Sequence, residues 1–411
     1  MRRTVALAVA VLAGAASSAR ADTVCEWMDL AARIETAGVE AQQLVVRTGQ
    51  YDRAQTQVAL AMFEALNAID RRYESYLGIE ATDPQASQDA AAATAAYHVL
   101  LAHFPSQKAA LGDSYAMRLE GLADKDSVES GKRIGRLAAE AALKAGIIDP
   151  AVRQNPYQPR TQPGVWVATQ LPVFTPSYMA QAPWFIGRPD AFRPAPPPPL
   201  TSERYARDLA EVRALGGKVS AARTPHQTRM AKYRINADLM PALRLVADEK
   251  GRRSVDNARL FALYGMIDDD FMLAAAEAKL HYDFWRPITA IRNAAADGNP
   301  ATEPDPAWEP LIPTPNHPEY PCAHCGQAAA TAELMKAEYG NAPWSGVRIA
   351  SRSAPNAAVQ VLPTWDDWAR DVSASRTFGG VHYRFSNEAG EDMGRKIARA
   401  ALAKVMRPLK R

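Results

Sequence analysis

From Asp22 to about Lys144, apolar residues recur at three- and four-residue intervals with few breakers, and that periodicity predicts helices. Within this stretch the run from Val58 to Ile69 is almost wholly apolar. A helix with no polar face has none to offer water, so the run predicts a buried core helix. Gln88–His103 and Ser127–Ala145 read as further helices. After Thr201 the pattern returns at Glu203–Leu215, Met230–Asp248, Asn257–Lys279, Ala323–Tyr339 and Asn387–Val405. Strand-type alternation is sparse, and the predicted class is all-α.

Residues 148–200 break the pattern. Prolines recur through Pro156, Pro159, Pro163, Pro183, Pro194 and the run Pro196–Pro199, and proline at that density disfavours helix. The interleaved Trp166, Phe174, Tyr178, Trp184, Phe185 and Phe192 are too aromatic for a disordered linker. The expectation is an ordered, irregular excursion that wraps the helical body and forms the mouth of a site, with a domain linker as the alternative. The chain thus divides into 22–147, 148–200 and 201–411, with 22–411 expected to form one domain.

Residues 1–21 read as an export signal: Arg2-Arg3, an apolar run from Val5 to Ala16, and Ala19-Arg20-Ala21 as a small-x-small cleavage pattern. The apolar run is about a dozen residues, short of the roughly 20 that span a bilayer. The expected location is periplasmic or secreted, with no transmembrane segment in the mature chain. The formal charge of the 411-residue chain is +3, and Arg2, Arg3 and Arg20 account for all of it. A neutral mature chain has no global electrostatic footprint for nucleic acid. Three cysteines, Cys25, Cys322 and Cys325, are too few for a disulfide scaffold, although Cys322 and Cys325 are close enough to pair in an oxidising compartment. Oligomeric state is not legible.

Three segments carry chemistry. Lys279 and Arg286 are seven apart, about two helical turns, so they share one face, and Pro287 disfavours helix at Arg286. Pro321-Cys322-Ala323-His324 precedes a strong helix former. With Pro321 at the first helical position, the free amides around Cys322 to His324 form an anion site beside an imidazole. Ser375-Arg376 and His382 bracket Gly379-Gly380, which permit a tight turn. A helix follows with Phe385, Ala389, Met393, Ile397 and Ala401 at four-residue spacing. Together these supply three cations and two imidazoles, a set suited to a tetrahedral oxyanion.

The three segments resemble the tripartite signature of the vanadium-dependent haloperoxidases and the type-2 phosphatidic acid phosphatases, Lys-x6-Arg-Pro, Pro-Ser-Gly-His and Ser-Arg-x5-His. The stretches Met62–Ile69 and Phe284–Arg292 look like the secreted bacterial haloperoxidase-like branch. The resemblance implies a helical bundle of the haloperoxidase and acid phosphatase type. It implies that Lys279, Arg286 and Arg376, with Ser375, Cys322 and Ala323, bind oxyanion oxygens. In a phosphatase His382 would attack phosphorus and His324 would protonate the leaving group, with no cofactor. In a haloperoxidase His382 would ligate vanadate, and His324 would assist peroxide.

The chain departs from the family pattern at three positions. Cys322 stands for serine and Ala323 for glycine, and Ser386 stands where many relatives have an aspartate that orients the histidine. Thiols beside a source of hypohalous acid would be oxidised. The sequence therefore favours hydrolysis of a small phosphate monoester over oxidation of halide by peroxide, with a catalytically weak oxyanion-binding homologue as a further alternative. A metal cluster of His317, Cys322, His324 and Cys325 is too compressed for the usual separated zinc pairs. A redox Cys-x-x-Cys lacks the expected alternation of strands and helices.

Overall fold

The computed structural model describes residues 22–41, 48–80, 82–146, 158–170, 173, 181–249, 251–343, 345–354 and 356–410. The export signal read at 1–21 lies outside them, as do Phe174 and Tyr178. The chain runs α1 (Thr23–Ala41), α2 (Thr48–Ile69), α3 (Gln88–His103), α4 (Lys108–Leu119), α5 (Lys125–Lys144), α6 (Glu203–Gly216), α7 (Pro225–Tyr233), β1 (Ala237–Asp238), α8 (Met240–Ala247), α9 (Ser254–Tyr282), α10 (Pro287–Arg292), α11 (Ala323–Tyr339), β2 (Val347–Ser351), β3 (Gln360–Leu362), α12 (Trp365–Phe378) and α13 (Arg384–Lys404). The fold is helical, as expected. No helix among the described residues is long and apolar enough to cross a membrane.

Helix starts are written locally. Ser87, Asp124, Ser202 and Thr364 each turn a side-chain oxygen onto first-turn amides of α3, α5, α6 and α12, groups that have no partner within the helix. Residues 58–69 of α2 are buried throughout. The polar pair among them holds the next turn: Glu64 accepts from Ser75 and from the amides of Tyr76 and Leu77, and Asn67 accepts from those of Arg72 and Tyr73. One apolar core draws on α1, α2, α3, α5, α9, α11, α12 and α13, so residues from both sides of the excursion share it.

The helix expected over Met230–Asp248 is interrupted. Thr224 and Gln227 form a reciprocal cap that starts α7, with Pro225 at the first position. The chain leaves the helix after Tyr233, pairs β1 with β2, and restarts as α8 with Pro241 in its first turn. Pro241 lacks an amide and disfavours helix at Met240, so the periodicity alone misled. A three-stranded antiparallel sheet in the order β1-β2-β3 results, which the sequence did not announce.

The described part of the excursion is anchored on α9, a 29-residue helix about 43 Å long. The amides of Trp184, Phe185 and Ile186 all donate to the Asp270 carboxylate, at 2.7, 2.8 and 3.1 Å. The Trp184 indole N–H donates to Asp269 at 2.7 Å, and the Arg53 guanidinium stacks on the indole at 3.6 Å. Upstream, Val165 bridges Phe284 just past the end of α9.

Candidate active site

Lys279 occupies the last turn of α9, and Asp283 ends that helix in the left-handed region. Arg286 is extended at the start of α10, as Pro287 requires. His382 lies between α12, which carries Arg376, and α13. The turn joining these helices needs glycine at 380, where φ is +79° and a Cβ would stand 2.3 Å from the Gly216 carbonyl. α11 and α13 approach so closely that a Cβ on Gly390 would stand 2.2 Å from the Cys322 carbonyl. Beneath, Phe284, Tyr320, Tyr383 and Phe385 pack in one buried aromatic cluster. Each motif segment contributes to that cluster, and this is the physical means by which Arg286, Pro321 and His382 meet.

The charged groups converge. Arg286 donates from Nε to the His317 carbonyl at 3.0 Å and from one terminal nitrogen to the Val381 carbonyl at 2.9 Å. The same nitrogen lies 3.2 Å from His382 Nε2, and the other lies 3.1 Å from His317 Nδ1. Lys279 donates to the carbonyls of Pro318, Glu319 and Pro321. Arg376 donates to the Arg234 carbonyl at 3.3 Å, and His324 Nε2 lies 3.1 Å from the Ile235 carbonyl. The break between α7 and β1 therefore supplies acceptors for a cation and an imidazole. Arg376 Nε, buried, has no partner among the described residues. An oxyanion oxygen would provide one, and the donor set fits vanadate or phosphate.

His382 Nδ1 lies 2.6 Å from Oε1 of Glu319, a fully buried carboxylate that also accepts from the Tyr383 amide. Burial raises Glu319 to about 7, against the pull of Arg286 and Lys279. Burial, then Arg286, Lys279 and Arg376, push His382 well below the ordinary imidazole range. Both shifts disfavour a carboxylate–imidazolium pair. We assign a neutral imidazole that donates from Nδ1 to Glu319, which leaves the Nε2 lone pair toward the cations. Glu319 was not singled out from the sequence; Pro318-Glu319-Tyr320 carries no motif, and only the fold brings it beneath His382.

Residues 259–411 match the family model described as the VCPO second helical-bundle domain. A structure titled as the first bacterial vanadium-dependent iodoperoxidase superposes with a TM-score of 0.75 at 18% identity, covering 94% of this chain and 98% of that one. The C-terminal bundle thus matches a domain of the vanadium haloperoxidase-like superfamily, and the whole chain has the fold of that structure. Structures titled as apo- and holo-type bacterial vanadium-dependent chloroperoxidase give TM-scores of 0.67 and 0.66, each at 18% identity. They cover 86% and 87% of this chain and 92% of their own. No curated protein sequence matches the chain.

Against the signature of that superfamily, four site expectations change. Cys322 and Cys325 form a disulfide, so Cys322 has no S–H to donate, and two ligands of the imagined metal cluster are gone. Pro321 precedes the helix instead of starting it, and Cys322 is the N-cap. Its amide donates to the Ser386 carbonyl at 3.1 Å, which leaves the first-turn amides of Ala323 and His324 for an anion. Ser375 turns its hydroxyl back onto the Val372 carbonyl at 2.6 Å. Ser386 does not orient His382: Glu319 holds Nδ1, and the buried Ser386 hydroxyl makes no hydrogen bond to the ring. His317, considered from the sequence only as a metal ligand, is a third imidazole against Arg286.

His324 is held down to about 3, first by the Arg376 charge and then by burial. An anion on Arg376 cancels the larger cause, so His324 has a higher pKa in the complex than in the free protein. The state with the higher pKa binds more protons. Anion binding therefore takes up protons and tightens as pH falls. Calorimetry of inorganic phosphate binding in buffers of differing ionisation enthalpy checks this. The uptake should be smaller in His324→Ala, and equal uptake in both would remove His324 as its source.

Proposed function

We propose that the protein oxidises halide with hydrogen peroxide, using vanadate held by Lys279, Arg286, Arg376 and His382. The observation that carries this reading over phosphate ester hydrolysis is the Cys322–Cys325 disulfide. The preference for a phosphatase rested on oxidisable thiols beside the site, and neither sulfur there is a thiol. Cys25 is a free cysteine, but it sits buried in α1, and burial pushes its thiol up to about 12, away from the reactive thiolate. The similar solved structures, titled as an iodoperoxidase and a chloroperoxidase, favour the same reading.

The cations would compensate the charge of the oxyanion oxygens, each charge-assisted bond contributing roughly 1.5–3 kcal/mol. His382 Nε2 would be the protein ligand, its orientation set by Glu319. When bound, vanadate would supply a Lewis-acidic centre that activates peroxide. His324 donates from Nε2 to the Ile235 carbonyl, which leaves Nδ1 free to take and return protons.

Two assays separate the readings: vanadate-dependent bromination of monochlorodimedone, and hydrolysis of para-nitrophenyl phosphate. Bromination is expected, and activity in the second assay alone reverses the assignment to a phosphatase. Phosphate binding with neither activity would leave an oxyanion-binding homologue. In the active assay, His324→Ala is expected to lower kcat about 10²–10⁴-fold. We also propose export to the periplasm or medium, which the 1–21 pattern and the disulfide both favour. N-terminal sequencing of the secreted protein should begin at Asp22.

A further inference from the structure

Asp268 is a carboxylate for which the chemistry above has no use. It precedes Lys279 by three turns of α9, so the two side chains leave the helix on the same side, about 16 Å apart along its axis. Gln327 of α11 donates from Nε2 to Asp268 Oδ1 at 2.9 Å. Gln327 lies one turn beyond His324 on the same face of α11. The two helices are tightly crossed there, since a Cβ on Gly326 would stand 2.1 Å from the Phe271 ring. On otherwise buried stretches of both helices, His324, Gln327, Asp268 and Met272 keep partly exposed edges. Asp268 and Gln327 thus form a partly exposed polar pair one helical turn from His324.

The neighbouring carboxylates are committed elsewhere. Asp269 holds Arg53 and Trp184, and Asp270 holds the amides of the excursion. Asp268 pairs with no cation among the described residues, and Gln327 offers it a neutral amide. The titratable group that acts on it is Asp269 on its own helix, and His324 is the titratable residue one turn from Gln327 on that face of α11.

We propose that Asp268, held by Gln327 at the accessible edge of the α9–α11 crossing, is the proton carrier that reloads His324 from solvent. The inference rests on the halide-oxidising reading. In that reaction peroxide, halide and one proton give hypohalous acid and water. The O–O bond breaks, an O–halogen bond forms, the halide loses two electrons, and the proton ends in water. Each turnover thus consumes a proton at the site, whereas transfer of a phosphoryl group to water makes no such stoichiometric demand. Burial, opposed by Gln327 and reinforced by Asp269, raises Asp268 to about 7, a value suited to both loading and release near neutral pH.

A first measurement is independent of turnover. Glu319 and Asp270 also protonate in this range, so infrared difference spectra between pH 6 and pH 8 are compared: wild type should show one more protonated-carboxyl band lost through about 7 than Asp268→Asn. If the spectra of wild type and Asp268→Asn do not differ in that band, the proposal fails, whatever the site's reaction. In steady-state bromination, Asp268→Asn should lower kcat about 10-fold above neutral pH with KM for bromide unchanged, and small weak acids in the buffer should restore it. Asp268→Glu should keep the wild-type profile and serves if the asparagine variant folds poorly. An unaltered pH profile in Asp268→Asn, or a loss that weak acids do not restore, would overturn the role. No bromination by wild type, with the infrared band present, would instead sink the halide-oxidising reading.

Discussion

His382→Ala should abolish bromination, with kcat falling by about 10³-fold or more, the scale of removing a group that the remaining machinery cannot replace. The imidazole is nearly inaccessible, its Nδ1 is held by Glu319, and its Nε2 is the lone pair presented to the cations. Lys279, Arg286 and Arg376 survive in the variant, so inorganic phosphate should still bind and raise the thermal midpoint. Loss of turnover with retained anion binding separates a missing ligand from a collapsed site. A variant that brominates at the wild-type rate would remove His382 from the chemistry.

Above about pH 7, where Glu319 is ionised, Glu319→Gln should destabilise the anion-free protein by about 1.5–3 kcal/mol, the scale of an interaction with a charged group. Lys279 and Arg286 are both buried, and Glu319 is the carboxylate whose charge each feels. Glutamine can still accept the Nδ1 proton, so the tautomer of His382 should persist while the imidazole becomes less basic. Weakening an orienting partner of a metal-bound histidine typically costs about 10–100-fold in affinity or activity. Loss of a negative charge beside the cations, however, strengthens attraction for any oxyanion. The two effects oppose each other in vanadate affinity, which should change little, while kcat falls. Urea denaturation with and without phosphate tests the account: phosphate should return most of the lost stability. A variant as stable as wild type without anion would mean that Glu319 does not compensate the cations.

The legible part of the site was the part written in local chemistry. Pro287 next to Arg286 announced an extended guanidinium position, and the structure has one. Gly379-Gly380 announced the turn before His382, and Gly380 takes a left-handed conformation there. The helix over Gln88–His103 has the expected bounds, and its start is capped by Ser87; that over Ala323–Tyr339 follows the periodicity, although Cys322 caps it and Pro321 does not start it. α12 was not singled out, although Trp365, Trp368, Ala369 and Val372 are buried at helical spacing. Where one residue overruled the periodicity, as Pro241 does between α7 and α8, the reading failed.

Residue types and spacing along the chain were sufficient to give the helical class and the likeness to an oxyanion-handling superfamily, and to single out the cations and two imidazoles that the fold brings together. Such features depend on neighbours within a few residues, and backbone sterics and side-chain chemistry act at that range. The partner of His382, the pairing of Cys322 with Cys325, and the carbonyls that hold Arg376 and His324 depend on contacts across the fold. They follow from a buried aromatic cluster that gathers three segments and from a close helix crossing that admits only glycine. The proposed preference for halide oxidation over hydrolysis rests on the state of two sulfurs, and their pairing is a feature of the folded geometry.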